Sequence, residues 1–147
     1  DVRAVIEYVK SFSRRWRKPE NYAPSLEFPS EPAWLKDPAA AKTHAQSGQK
    51  LFAANCAACH GEKADGKGAA AIALKDIWNI PAAPSDLRQP HLRCGDHAAD
   101  IYRVLATGLN GTPMVSFEPT LTPAQRWDII AYIFSIRLPS GPVLGGG

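Results

Sequence analysis

The chain has 147 residues, 45% of them apolar and 21% charged, with a formal charge of +3. This is the size and balance of one ordinary globular domain, which excludes a disordered chain, and no run nears the roughly 18 apolar residues of a membrane span. Thirteen prolines and eleven glycines assign much of the length to loops, and three cysteines cannot all pair with one another, which argues against a disulfide framework.

Residues 1–17 place Val2, Val5, Ile6, Val9 and Phe12 at the i, i+3, i+4 spacing of an amphipathic helix. The basic run RRWRK (14–18) closes it, where cations suit the helix dipole; the same run could dock an acidic partner or a phospholipid surface. Pro19, Pro24, Pro29, Pro32 and Pro38 then remove too many amide donors for a helix or an inner strand. An extended connector is expected there, with Trp34 and Leu35 held against the main domain. The chain opens on Asp1 without a signal-peptide pattern, so a removed leader or a longer parent polypeptide is expected.

A second helix is expected from near Ala45 through His60, with Leu51 and Phe52 on one side and Gly61 as its stop. Residues 62–89 read as loop, with one short helix about Gly68 to Leu74. Asp96 is expected to cap a helix that carries Ile101, Val104 and Leu105 and stops at Gly108. Loop 109–120 follows. Thr122, Pro123 and Gln125 then form a capping box, Ile129, Ile130, Ile133 and Ile136 form a buried stripe, and Pro139 ends the last helix. No strand is predicted, so the fold class is all-α, divided into an N-terminal helix and Pro-rich connector (1–40) and a main domain (41–147). One echo stands out: VIEYVKSFS (5–13) aligns with IIAYIFSIR (129–137), placing Tyr8 on Tyr132 and Ser11 on Ser135. A true repeat would make residues 1–17 the last helix of an upstream copy of the domain.

The segment NCAACHG (55–61) carries the chemistry. A redox dithiol wants its cysteines at the head of a helix in a βαβ unit, and no strand is predicted. A zinc site wants a second knuckle, and only Cys94, His44, His91 and His97 remain. The reading that fits best is covalent haem attachment. Cys56 and Cys59, one helical turn apart, add across two porphyrin vinyl groups, and the His60 imidazole binds the iron. For the sixth position the chain offers one methionine, Met114, in the Gly- and Pro-bounded loop NGTPMVSF, with His91 and His97 as competitors. His44 is expected to be solvated, and Trp16, Trp78 and Trp127 to serve packing.

From about Ala45 to Leu138 the chain resembles a class I c-type cytochrome, through CAACHG, the glycine-rich GEKADGKGAA, GTPMVSF and the closing RWDIIAYI. The resemblance implies a few helices wrapped around one covalent haem c, with the first and last crossing where Phe52 meets Tyr132. It also implies that a carbonyl of IPAAPSDL, from Pro81 or Pro84, holds the His60 ring N–H while Leu87 presses on the ring. The family pattern does not account for residues 1–40 or for Cys94, which is expected as a small buried hydrophobe, an intermolecular disulfide being the second reading.

A histidine and methionine pair raises the iron potential and fills both axial positions. That implies one-electron transfer rather than catalysis, by a free carrier or by the electron-transfer subunit or domain of a larger respiratory-type oxidoreductase. The alternative is a ligand-binding or peroxidatic haem protein with an open or displaceable sixth position. The expected partners are redox proteins, through small transient contacts. Nucleic acid is not expected, and membrane association is expected only through a partner or an upstream segment. The resemblance places the protein in the periplasm or otherwise outside the cytoplasmic membrane.

Overall fold

The computed structural model describes residues 1–18, 20 and 27–138. Helix α1 (Val2–Ser11) starts where the Asp1 carboxylate accepts the Arg3 N–H at 3.0 Å. It stops short of the predicted Arg17. Ser13 turns extended and its hydroxyl accepts the Arg15 N–H at 3.3 Å, which opens a separate 3-10 turn over Arg14–Arg17. No residue of α1 is buried. Of the connector's prolines, Pro19 and Pro24 lie outside the described residues. Further on, the 3-10 turn Ala33–Lys36 presses Trp34 and Leu35 onto the core, as the sequence led us to expect.

Helix α2 (Pro38–Asn55) begins well before Ala45. The Asp37 carboxylate accepts the N–H groups of Ala39 and Ala40 at 2.9 and 3.3 Å, and Pro38 occupies the first helical position. A proline read as the end of the connector is therefore the start of the helix, and the division drawn at 40/41 falls within the first turns of α2. The helix also does not run unbroken to Gly61. Cys56 adopts φ −120°, and a separate turn of helix, α3 (Ala57–His60), follows it before Gly61. The short helix expected at 68–74 is a 3-10 turn, Ala71–Ala73.

Helix α4 (Ala98–Thr107) ends at Gly108 as expected. Its N-terminal neighbour is His97 rather than Asp96, and the Asp100 carboxylate accepts the His97 N–H at 3.3 Å. Asp96 is drawn away to accept the Leu92 N–H at 3.0 Å. Helix α5 (Pro123–Ile136) carries the predicted capping box: the Thr122 N–H donates to Gln125 Oε1 at 2.8 Å and the Gln125 N–H to Thr122 Oγ1 at 3.3 Å. Arg137 follows its last residue; the Pro139 stop lies outside the described residues. The one β feature among the described residues is an antiparallel bridge between Lys75 and Pro81. No helix among them is long and apolar enough to cross a membrane.

The core forms where α2 meets α5. At Gly48 the backbones approach so closely that a Cβ would lie 1.9 Å from the Asp128 carbonyl oxygen. One turn on, the rings of Phe52 and Tyr132 meet at 5.2 Å between centroids, as the resemblance implied. Phe52, Ile129 and Ile130 are among the most completely buried side chains, each contributing about 1.5–3 kcal/mol. Helix α4 joins through Tyr102, whose ring lies 4.5 Å from that of Trp127 and 6.1 Å from that of Phe28. The buried Arg126 guanidinium sits 5.0 Å over the Tyr102 ring, a cation–π contact strengthened by its dry setting. His44, expected in solvent, is instead half-buried. It stacks on Trp34 with centroids 3.6 Å apart and donates from Nδ1 to the Asp128 carboxylate at 2.6 Å.

Candidate functional site

Cys56 joins the end of α2 to the turn α3, which carries Cys59 and His60, and the glycine-rich segment after it closes back onto that turn. Each of the turn's last carbonyls receives a backbone donor: Ala57 from Gly61 at 2.8 Å, Ala58 from Ala70 at 2.9 Å, Cys59 from Gly68 at 3.1 Å and His60 from Gly66 at 2.8 Å. These are the acceptors a helix end leaves orphaned. The pattern of GEKADGKGAA follows from this closure. A Cβ on Gly68 would lie 2.3 Å from the Ala58 carbonyl oxygen, and Gly66 has φ +77° with its would-be Cβ 2.5 Å from the Pro84 carbonyl.

The His60 ring is oriented by a backbone acceptor, its Nδ1 lying 3.1 Å from the Ser85 carbonyl. That corrects the expected partner: Ser85, the residue after Pro84, supplies the oxygen, while the Pro84 carbonyl turns toward Gly66. Burial pulls the His60 pKa below its ordinary value, against the opposing Ser85 hydrogen bond. The shift favours the neutral ring, and with Nδ1–H donated to Ser85, Nε2 is left as an electron-pair donor. Leu87 packs on the core and donates its N–H to the Ala64 carbonyl at 2.9 Å. Arg88 grips the Asp86 carboxylate through Nε at 2.9 Å and Nη2 at 2.8 Å, which holds that carboxyl well below its usual range.

Met114 lies in a loop fastened to the end of α4. Ser116 Oγ donates to the Ala106 carbonyl at 2.6 Å, the Phe117 N–H to the Leu105 carbonyl at 2.9 Å, and the Leu109 N–H to Met114's own carbonyl at 2.9 Å. The Met114 side chain packs against the same core cluster as Cys56. The Ile77 N–H donates to the Gly111 carbonyl at 3.0 Å, joining the segment that leads to Ser85 with the methionine loop. Of the other expected ligands, His91 is exposed with Nδ1 2.7 Å from Asp96, and His97 is exposed at the mouth of α4.

These features weigh on the three readings of the thiols. Burial first, and the Cys59 charge second, push the Cys56 thiol up to about 12, the opposite of an activated redox thiolate. No group of three or more His, Cys, Asp or Glu side chains converges among the described residues, so the second half of a zinc site is missing there. The donor set does fit a haem: two thiols bracketing one turn, an oriented neutral imidazole and a soft thioether. On the segments 71–80 and 109–115, Ile72, Ile77, Trp78, Ile80, Leu109 and Val115 are exposed, apolar surface of the kind a broad flat ring could cover. Trp78, expected to serve packing, is instead exposed with this set, whereas Trp127 is buried and packs as expected.

Sequence reasoning missed Gly48 and Arg137, and took Gly66 only as part of GEKADGKGAA. The isolated glycine inside a helical pattern was the available signal for Gly48. Arg137 donates to the carbonyls of Gln89, Pro90 and Asp96 and to the Asp96 carboxylate, pinning loop 89–96 to the end of α5. Cys94 rides on that loop and is exposed, which corrects its reading as a buried hydrophobe.

The profile of the family described as Cytochrome c matches residues 45–137. Among solved structures, the chain is similar to one from the Kuenenia stuttgartiensis reducing HAO-like protein complex Kustc0457/Kustc0458, with 29% identity and a TM-score of 0.74, covering 88% of this chain and 57% of that one. It is also similar in fold to cytochrome CL from the marine methylotrophic bacterium Methylophaga aminisulfidivorans, with 20% identity, a TM-score of 0.50, and coverage of 71% of this chain and 60% of that one. The chain thus spans less than two thirds of either neighbour. No curated protein matches it.

Proposed function

Because the chain belongs to the cytochrome c family, a family of haem-based electron-transfer proteins, we propose that it passes single electrons through one haem c that Cys56 and Cys59 would hold covalently and whose iron His60 and Met114 would ligate. The observation that carries this reading is the oriented His60 ring, fixed through Nδ1 by Ser85 and directly following the two thiols. When bound, the haem supplies an iron that accepts and releases one electron.

The residues of this chain do the rest. Cys56 and Cys59 would hold the group covalently beside α3. Ser85 holds the His60 plane, so the donor nitrogen keeps its direction in both oxidation states. Met114 supplies a thioether that favours the reduced iron and raises the potential. Its loop, tied to the carbonyls of Leu105 and Ala106, keeps that sulfur in place, so little has to rearrange when the charge changes. Leu87 and Pro84 line the His60 side. The exposed Ile77, Trp78 and Val115 offer an apolar rim for a transient redox partner. The likeness to a chain of a reducing HAO-like protein complex supports work within a larger redox complex, and membership of the cytochrome c family supports residence outside the cytoplasmic membrane.

The test is the purified native protein. Its denatured mass is expected to exceed that of the bare polypeptide by covalent haem, and the oxidised form is expected to show the near-infrared methionine-to-iron band. A colourless protein refutes the reading. A coloured protein without that band refutes Met114 and leaves a ligand-binding or peroxidatic haem.

A further inference from the structure

Helix α1 is built like α5 and lacks what covers α5. In the alignment of residues 5–13 with 129–137, Ile6, Tyr8 and Ser11 match Ile130, Tyr132 and Ser135 identically, while Val5, Val9 and Phe12 match Ile129, Ile133 and Ile136 in apolar character. The likeness extends to local structure. Ser11 Oγ donates to the Tyr8 carbonyl at 2.6 Å, and Ser135 Oγ to the Tyr132 carbonyl at 2.7 Å. The environments are opposite. Ile129 is 0% and Tyr132 7% exposed beneath α2, whereas Val5 is 59% and Tyr8 66% exposed. One face so patterned, left open on a helix that buries none of its residues, needs a cover.

We infer that α1 is the closing helix of a second, preceding cytochrome c module, and that its open face is covered by that module's own haem-attachment helix. A second copy of this chain offers no such cover, because its α2 already holds its own α5. A lipid surface would account for apolar residues beside RRWRK, but it gives no reason for the Tyr and Ser register shared with α5. The longer partner in the structural match, of which this chain spans only 57%, leaves room for such a module. The inference rests on the haem reading given above.

The present module fixes what the covering helix must look like. Here Gly48 faces the Asp128 carbonyl, Phe52 meets Tyr132 and Cys56 opens the attachment motif, at intervals of four residues. Ala4 and Tyr8 are the counterparts of Asp128 and Tyr132. The covering helix therefore carries a glycine opposite Ala4, an aromatic residue opposite Tyr8, and C-x-x-C-H starting four residues beyond that aromatic.

The test is the haem-to-polypeptide ratio of the full native polypeptide, by alkaline pyridine haemochrome and intact mass. A ratio of two supports the inference. A ratio of one overturns it and leaves the proposed function standing, and a ratio of zero removes both. In the same polypeptide Ile6→Asp is expected to abolish the redox wave of the preceding haem while that of the Cys56–Cys59 haem is retained. Two unchanged waves overturn the inference, as does binding of the wild-type polypeptide to anionic phosphatidylserine vesicles that Ile6→Asp abolishes with both waves intact. If Ile6→Asp does not fold, the ratio in the unaltered polypeptide still decides.

Discussion

Gly48→Ala sets two well-measured effects against each other. In an exposed helix interior the change stabilises by about 1 kcal/mol, because alanine has less backbone freedom to lose. At this position the new methyl carbon would lie 1.9 Å from the Asp128 carbonyl oxygen and 2.4 Å from its carbon. Both are backbone atoms of α5 and cannot rotate away, so the two helices must part by roughly 1.5 Å to reach an ordinary contact of about 3.4 Å. A gap half that size already forfeits up to about half of the dispersion contact across it, and the face affected holds Phe52, Ile129, Ile130, Tyr132 and Ile133. Overpacking of well-filled cores costs about 1–3 kcal/mol, occasionally more. With unyielding backbone on one side we place the gross cost near 4 kcal/mol and the net loss near 3 kcal/mol after the propensity gain. That corresponds to a fall in Tm on the order of 10 °C. Urea unfolding of the purified holoprotein by far-UV circular dichroism measures it, with Ser47→Ala on the exposed side of α2 expected to stay within about 0.5 kcal/mol of the wild type. A Gly48→Ala protein as stable as wild type, or more so, would refute the close approach of α2 and α5 on which the core is built.

Met114→Ala is expected to abolish the near-infrared band and lower the haem potential while the covalent mass is retained; equilibrium redox titration reads it, and an unchanged potential counts against ligation. Gly66→Ala introduces strain at φ +77° and a contact 2.5 Å from the Pro84 carbonyl. It should displace the loop that presents the Ser85 oxygen, lower stability by about 2 kcal/mol, and shift the imidazole proton resonances of His60. Asp96 is held down from 3.8 to about 2, chiefly by the hydrogen bond from His91 and then by the Leu92 N–H. A depressed carboxyl contributes stability that is fully present above pH 3.8 and lost as the pH falls toward 2. Asp96→Asn should therefore flatten acid unfolding between those limits, leaving a residual slope from Asp86, whose carboxyl is lowered in the same sense by Arg88; an unchanged slope would refute the pairing. A fragment ending at residue 120 keeps α2 but lacks α5, and should show no cooperative thermal transition by circular dichroism.

What could be read from the sequence was local chemistry with a fixed spacing. Cys56, Cys59 and His60 declare themselves because attachment demands that interval, and Thr122, Pro123 and Gln125 because a helix start satisfies its donors within four residues. The same start at Asp37 and Pro38 was overlooked because Pro38 was counted among the breakers before it. Asp96 and His97 compete within one residue for the head of α4, and the outcome depends on His91 and Leu92 earlier in the same loop and on Arg137 from beyond the end of α5. The acceptor for His60 is a backbone carbonyl, a group every residue carries, so no residue type marks Ser85. Cys94 was assigned by the average habit of cysteine, whereas its exposure depends on where Arg137 holds loop 89–96.

The pairing of α2 with α5 also governs when the domain can exist. Its first long helix finds its partner only in its last, so the loop to be closed spans most of the domain and carries its full closure entropy before any core contact offsets it. A chain delivered from its N-terminus therefore has nothing stable to fold into until residues 123–136 are present. Up to that moment the thiols of Cys56 and Cys59 remain on an open chain, where the attachment proposed above would find them accessible.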